Sequence, residues 1–341
     1  MTELVKPKSI RLDASTNCQL KCPSCPTAKG IIKQNIGGGF LKFNNFKQLI
    51  DENPSVLHVE LSNWGEIFLN PDLPQIMAYA YKQSVALTAS NGTNLNTVKK
   101  ETLEALVKYK FRHLNCSIDG ASQESYSIYR RNGNFNQVIE NIKTINYYKQ
   151  LYNSPFPILS WQYVAFGHNE HEIEKAQQLA KTLNMSFKLK LSWDENFSPL
   201  KDQTQVAKKA IDQSQESRRF CSQLWHIPQI NWDGRILGCC VNYWADFGNA
   251  FDANLDDSFN NEKITYARQM LLGKTDAKDD IPCTTCTYYQ QMKKNNDWLS
   301  EAEIQAVQKH KLAYSLGRIG IWLTNKSRLL SNIYLKLSGL S

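Results

Sequence analysis

Six strand-like segments separated by helix-like ones constrain this chain more than any other feature. The strand-like segments are Ser9 to Ala14, Val56 to Leu61, Val85 to Ala89, His113 to Ile118, Ile158 to Phe166 and Ser186 to Leu191. Between them, helical patterns run around Phe43 to Ile50, from the Asn70-Pro71-Asp72 cap through Tyr81, from about Thr97 to Tyr109, from Ser122 and Asn136, and from Glu170 to Leu183. Strands that alternate with helices through short connections form a parallel sheet with right-handed crossovers, and six repeats with long loops curl into an incomplete barrel. The expected fold is therefore α/β, a partial (β/α)6 TIM-like barrel, with function at the C-terminal ends of its strands.

Those strand ends carry the informative residues. The first runs into Cys18-Gln19-Leu20-Lys21-Cys22-Pro23-Ser24-Cys25. Three closely spaced thiolates hold three corners of a cubane iron-sulfur cluster and leave the fourth iron open, whereas structural zinc needs a fourth ligand from elsewhere. Strand two ends in Ser62-Asn63-Trp64-Gly65-Glu66, strand three in Ser90-Asn91-Gly92-Thr93 and strand four in Ser117-Ile118-Asp119-Gly120.

In this order the motifs resemble the radical S-adenosylmethionine (SAM) superfamily, and the resemblance covers roughly residues 9 to 191. It implies that Cys18, Cys22 and Cys25 ligate a [4Fe-4S] cluster whose open iron is chelated by SAM. Gly65-Glu66 resembles the motif that receives the SAM amino group, although Trp64 stands where that motif has a first glycine. Ser90 and Asn91 resemble the polar pair near the ribose. Ser117 with Arg130 resembles the pair that holds the SAM carboxylate, with Arg131 as the alternative to Arg130. Tyr163 to Glu172 resembles the strand and turn that pass the adenine, and Ser24 departs from the bulky apolar residue that usually precedes the third cysteine. The implied chemistry is reductive cleavage of SAM to a 5'-deoxyadenosyl radical, with a reductant such as flavodoxin or ferredoxin as partner.

Beyond Ser192 the chain turns polar to Ser217, with mixed charge over Lys201 to Lys209, which marks a linker. Ile227 to Trp232 and Arg235 to Cys239 then flank Asp233-Gly234, a strong hairpin signal. A helix follows around Glu262 to Leu272, and then Cys283-Thr284-Thr285-Cys286. Cys221, Cys239, Cys283 and Cys286 supply four thiolates for a closed site, for which zinc and iron-sulfur are both suited by spacing. The pattern resembles the auxiliary-cluster half of SPASM and twitch domains, which implies one auxiliary [4Fe-4S] cluster. Cys240 is left over as an alternative ligand, a buried thiol, or a hydrogen-atom donor. Cys116 reads as a small core residue.

The expected organisation is a barrel over residues 1–200, an auxiliary module over 201–299 and a basic helical tail over 300–341. In the tail Ile304, Val307, Leu312, Leu316, Ile319, Leu323, Leu329, Leu330, Ile333 and Leu337 form an apolar stripe. Lys309, Lys311, Arg318, Lys326, Arg328 and Lys336 make it basic, with Trp322 and Tyr334 as amphipathic rings. That composition suits packing on the barrel or on a second subunit, or contact with a membrane surface.

The net charge of +8 is spread among acidic residues, so no nucleic-acid partner is expected. Met1 to Ile10 lacks an apolar signal region and no apolar run reaches spanning length. Nine cysteines crowded into short stretches fit metal ligation in a reducing compartment, hence a cytoplasmic protein, peripheral at the membrane if the tail binds there. The resemblance to twitch enzymes implies dehydrogenation of a sugar or cyclitol alcohol, with the auxiliary cluster as electron acceptor. Peptide modification is the main alternative, lowered by the short segment before the cysteine loop. Epimerisation through Cys240 is another, and a zinc or iron-sulfur scaffold or electron carrier is the non-enzymatic contrast. The substrate itself, a small molecule or a peptide, is not legible.

Overall fold

The computed structural model describes residues 4–202, 204, 206, 210, 216–309 and 317–337. Much of the mixed-charge linker over 201–209 lies outside them, as do Lys311, Leu312 and Leu316 of the tail.

Six parallel strands form the barrel: β1 (Ser9–Leu12), β2 (His58–Glu60), β3 (Ala86–Thr93), β4 (His113–Ser117), β5 (Ile158–Ala165) and β6 (Ser186–Leu191). The helices between them are α1 (Ile31–Ile36), α2 (Phe43–Glu52), α3 (Leu73–Lys82), α4 (Lys100–Lys108), α5 (Gln123–Tyr129), α6 (Phe135–Leu151) and α7 (Ile173–Thr182). Local chemistry sets several of the boundaries. The Ser122 hydroxyl accepts from the Ser125 N–H to start α5, and the Asn134 side chain accepts from the Gln137 N–H to start α6. α7 begins one turn later than the pattern predicts, because Glu170–Glu172 forms a 3-10 turn first.

Period two sorts the strand residues onto two faces. Ile10 and Leu12, Val59 and Leu61, Leu87 and Ala89, Leu114 and Cys116, and Leu159, Trp161 and Tyr163 share the hydrophobic core. The alternate positions are polar, and the curled sheet encloses them. Across this inner face His113 bonds Ser90 Oγ through Nδ1 (3.1 Å) and Ser160 Oγ through Nε2 (2.8 Å), and Ser160 reaches Ser186 (2.7 Å). The Ser90 N–H donates to the Glu60 carboxylate at 2.8 Å, so one hydrogen-bonded belt crosses from β2 to β6. This polar lumen is where a barrel of this kind differs from one filled by branched apolar layers.

The second cysteine-bearing region is continuous with the barrel. After α8 (Glu216–His226), β7 (Gln229–Ile230) pairs parallel with β1, placing Gln229 opposite Arg11 and Ile230 opposite Leu12. β8 (Ile236–Gly238) returns antiparallel on β7 around Asp233-Gly234, and Gly234 has φ +92°, as the tight turn requires. The sheet thus has eight strands in the order β6-β5-β4-β3-β2-β1-β7-β8. Helices α9 (Leu255–Ser258), α10 (Glu262–Leu271) and α11 (Thr287–Asn295) complete the region.

Among the described residues the tail forms three helices, α12 (Glu301–Lys309), α13 (Gly317–Lys326) and α14 (Arg328–Leu337). α13 and α14 form a hairpin broken at Ser327 that lies across the N-terminal ends of the barrel strands, where Ile321 packs with Leu57 and Ala86. Among the described residues, no helix is long and apolar enough to cross a membrane.

Candidate active site

The cysteine loop is stitched to its neighbours by backbone hydrogen bonds. Ala14 N–H donates to Leu61 O, Asp13 N–H to Ile230 O, and Thr16 N–H to Gly39 O. Gly65 lets strand two approach: a Cβ there would lie 2.3 Å from the Ser15 carbonyl oxygen and 2.8 Å from that of Asn17. That closeness allows the Glu66 N–H to donate to Asn17 O at 2.8 Å. Trp64, the residue that breaks the expected glycine pattern, packs edge-on against Tyr243 with ring centroids 5.6 Å apart. Its bulk therefore joins the barrel to the second cysteine region.

Glu66 is buried, and its carboxylate accepts from the N–H groups of Asn94 (2.5 Å) and Phe68 (3.2 Å). Burial pushes its pKa up to about 7 against those hydrogen bonds and Arg130. The Asn94 amide also reaches the Cys18 sulfur at 3.5 Å. Burial raises the Cys18 thiol to about 12, with Glu66, Cys22 and Cys25 adding to it. It also raises Cys22, where Arg130 opposes and Cys25 adds. All nine cysteines are free thiols, and among the described residues no three metal-ligating side chains are yet drawn around one point. The donor set nevertheless fits a cluster. Cys18 and Cys22 are costly as bare thiolates where burial holds them, and a bound cationic centre offsets that cost by favouring the deprotonated sulfur.

Arg130 closes the other side of the loop. Its Nε donates to Asp119 Oδ2 at 2.6 Å, and its Nη1 lies 3.9 Å from the Cys22 sulfur. Burial works against its charge, but Asp119 and then Cys22 hold its pKa well above the usual range. Arg131 is exposed, and only its carbonyl touches the loop, accepting from the Lys21 N–H at 3.0 Å. Around Cys22 the rings of Tyr129 and Phe166 lie 4.5 Å apart, Phe197 meets both, and His168 stacks on Phe166 at 5.3 Å. Ser24 is buried and donates to Asp194 at 2.7 Å, tying the loop to the chain after β6. The apolar surface that Ser24 lacks is present in these four rings.

The other site residues expected from the sequence lie elsewhere on the rim. Ser90 is part of the lumen belt, and the exposed Asn91 donates to Asn63 Oδ1 at 3.2 Å. Ser117 faces Gly92, where a Cβ would sit 2.4 Å from its Oγ. No contact joins Ser117 to Arg130 among the described hydrogen bonds. Asp119, Asn94, Phe166, Phe197 and Asp194 were not singled out from the sequence. Asp119 had a visible signal, since an Asp-Gly pair at a strand end often carries a buried carboxylate into a turn.

The lumen holds strong electrostatics. Burial alone would raise Glu60, but Arg11 and hydrogen bonds from Ser62, Thr88 and Ser90 hold it at about 2. Burial first, and then Lys188, pull His113 down to about 4, so it is neutral near pH 7. Lys188 and Lys190 stand two residues apart on β6, half-buried, with no carboxylate partner among the described residues. Burial and then the charge of Lys190 lower the pKa of Lys188.

The second set converges on one cavity of about 380 Å3 including its open mouth, lined by Cys221 from α8, Cys239 after β8, and Cys283 and Cys286 before α11. Leu224, Phe247 and Leu271 are among its apolar walls. Burial raises Cys221 to about 12, with further contributions from Cys286 and Cys240. Cys240 does not line the cavity. Its N–H donates to Gln223 Oε1 at 2.8 Å, its sulfur accepts from Gln223 Nε2 at 3.4 Å, and Arg11 and Asp13 are the charges it feels.

The Radical SAM superfamily model matches residues 13–180, and the SPASM model, an iron-sulfur cluster-binding domain, matches residues 221–287. The chain belongs to the radical SAM superfamily. As a radical SAM/SPASM protein it uses a [4Fe-4S] cluster that binds SAM, together with an auxiliary cluster. This sets aside the zinc-scaffold alternative. The chain is 28% identical over 180 residues to an AdoMet-dependent heme synthase of Methanosarcina barkeri, a match covering 52% of this chain. The chain spans about half the length (48%) of that curated relative. Among solved structures, Streptococcus suis SuiB bound to S-adenosylmethionine superposes with a TM-score of 0.60 at 15% identity. The match covers 83% of this chain and 71% of that one, and it establishes the partial barrel with its appended region.

Proposed function

We propose that this radical SAM/SPASM protein oxidises an alcohol carbon of a small polar substrate, of the sugar or cyclitol type, that carries an anionic group. The observation that carries the reading is that Cys221, Cys239, Cys283 and Cys286 all line one cavity in a region continuous with the barrel. Four protein ligands leave no open position, which suits an acceptor of electrons rather than a binder of substrate.

Cys18, Cys22 and Cys25 would hold the first cluster, which supplies the electron that splits SAM into methionine and a 5'-deoxyadenosyl radical. Glu66, with its backbone hydrogen bonds, would accept the SAM ammonium, and Arg130, braced by Asp119, would meet the carboxylate. The rings of Tyr129, Phe166 and Phe197 keep water from the loop. Oxidation of a carbinol to a carbonyl removes one hydrogen atom, which the 5'-deoxyadenosyl radical would take up as 5'-deoxyadenosine, one proton and one electron; Cys221, Cys239, Cys283 and Cys286 would hold the cluster that would supply an acceptor for that electron. Lys188 and Lys190, free of carboxylates, are the groups suited to the substrate's anion, and the lumen belt offers donors and acceptors to hydroxyls.

Anaerobic reconstitution tests the chemistry. Dithionite and SAM should yield 5'-deoxyadenosine from protein with about eight irons, as two cubanes require. Protein that carries two clusters yet makes none would sink the reading. The substrate class is tested by comparing phosphorylated or carboxylated sugars with neutral ones as stimulants of 5'-deoxyadenosine formation. The anionic preference should vanish in Lys188→Ala/Lys190→Ala, and an equal response to neutral sugars would remove it.

Cys240 favours one second reading, epimerisation, because its thiol is held by Gln223 and does not line the auxiliary cavity. Solvent deuterium appearing at a substrate carbon, and lost in Cys240→Ala, would select it over oxidation.

A further inference from the structure

The hairpin α13–α14 is anchored on the closed end of the barrel through one face only. Arg112, at the start of β4, donates to Ile321 O (3.3 Å), Thr324 Oγ1 (2.9 Å) and Asn325 Oδ1 (2.6 Å), and Tyr334 meets Phe156 with centroids 6.3 Å apart. Ile321, Thr324, Asn325, Ser331 and Leu335 are buried accordingly. The opposite faces carry a repeated pattern. On α13, Ile319 (72% exposed), Trp322 (50%) and Lys326 follow at i, i+3 and i+7, while on α14 Leu329 (70%), Ile333 (44%) and Lys336 follow at i, i+4 and i+7. Because both helices bury their other side, both stripes face outward. Four of the ten large apolar side chains exposed among the described residues lie in this one hairpin.

The charge is one-sided. No Asp or Glu occurs from Ile304 to Ser341, while Lys309, Lys311, Arg318, Lys326, Arg328 and Lys336 do. Lys326 sits over the Tyr81 ring at 5.7 Å, and Arg328 is held by Asn153 beside α6, whose end adds exposed Tyr147 and Leu151. A protein partner of ordinary composition would be met by mixed charges at the rim of such a patch. Asp51, the carboxylate that acts on Arg318, is itself paired with Lys47; exposed aliphatic side chains and an indole, with Lys326 and Lys336 beside them on the same helices, complement a surface that is apolar at depth and negative at its face.

We propose that α13–α14 docks this protein on the surface of an anionic phospholipid bilayer, with Ile319, Trp322, Leu329 and Ile333 entering the headgroup region and Lys326 and Lys336 meeting lipid phosphates. Docking through the closed end leaves the strand ends that carry the cysteine loop facing away from the lipid.

The test is co-sedimentation of the full-length reconstituted protein with sucrose-loaded vesicles of phosphatidylcholine alone or with about 30% phosphatidylglycerol, at low and high salt. Binding should be at least about tenfold stronger to the anionic vesicles and should fall with salt. Trp322→Ser/Leu329→Ser and Lys326→Glu/Lys336→Glu should each weaken it about tenfold while unfolding temperature and 5'-deoxyadenosine formation stay unchanged. Equal binding to both vesicles overturns the proposal, as does binding indifferent to both double variants. A lipid-free dimer, seen by light scattering and dissolved by Trp322→Ser/Leu329→Ser, would assign the face to a second copy and overturn it as well.

Discussion

Arg130 and Asp119 form a buried ion pair, Nε to Oδ2 at 2.6 Å, with Asp119 fully enclosed and Arg130 nearly so. Asp119 is also committed elsewhere, accepting from the Val164 N–H at 2.8 Å. Removing one partner of such a pair leaves a buried charge unmatched. Asp119→Ala should cost about 3–5 kcal/mol, and Asp119→Asn, which keeps an acceptor, clearly less. Thermal unfolding of the reconstituted variants checks the order, and equal losses would mean that the carboxylate's charge contributes nothing.

Gly65 has no room for a side chain against Ser15 and Asn17. Gly65→Ala should push strand two from the cysteine loop, cost of the order of 1–3 kcal/mol, and release the first cluster while sparing the second. Iron per chain should fall from about eight to about four, by the count of two cubanes. A full complement of iron would show that the loop yields without cost.

Cys239 and Cys240 are adjacent in sequence and point to different places. Cys239→Ala should lower iron by about one cubane, or leave a labile cluster, whereas Cys240→Ala should keep both. The reverse result would exchange their roles.

His113 titrates near 6.5 in the unfolded chain and at about 4 in the folded one. Between those values the unfolded state binds the extra proton. The histidine's contribution is therefore complete above pH 6.5 and is lost as pH falls to 4, a change of about 3 kcal/mol. Glu66, raised to about 7, slopes the other way between 4.5 and 7, so the wild-type profile is flattened. The difference between His113→Gln and wild type isolates the effect. Relative to wild type, the variant should gain stability as pH drops from 6.5 to 4, and denaturation profiles that stay parallel would exclude the assignment.

The barrel strands were legible because alternation is local: Ile10, Val59, Leu114 and Trp161 declare their face within five residues. The cysteine sets were legible for the same reason, as spacings. What escaped was non-local. Asp233-Gly234 announced a hairpin, yet nothing near Gln229 says that it will pair with Arg11, more than two hundred residues earlier. The Tyr129, Phe166 and Phe197 cluster joins three separate segments, and in one dimension each ring looks like ordinary core. The polar lumen was readable in principle, since His58, Glu60, His113, Asn115 and Gln162 sit at the alternate positions of apolar strands. Within one strand their apolar neighbours set the pattern, and it takes several strands side by side to show that the polar faces meet. The tail's single stripe became two helices at Ser327, a break that helical periodicity on both sides conceals.

The pairing of β7 with β1 makes the two cysteine regions parts of one hydrogen-bonded sheet. The span between the cysteine loop and the second set of thiols is then a rigid-body length, set by strand spacing, and not the average of a swinging linker. Residues inserted over 201–215 should leave that span alone, so iron content and 5'-deoxyadenosine formation should tolerate insertions there that would disable a protein of two loosely joined lobes.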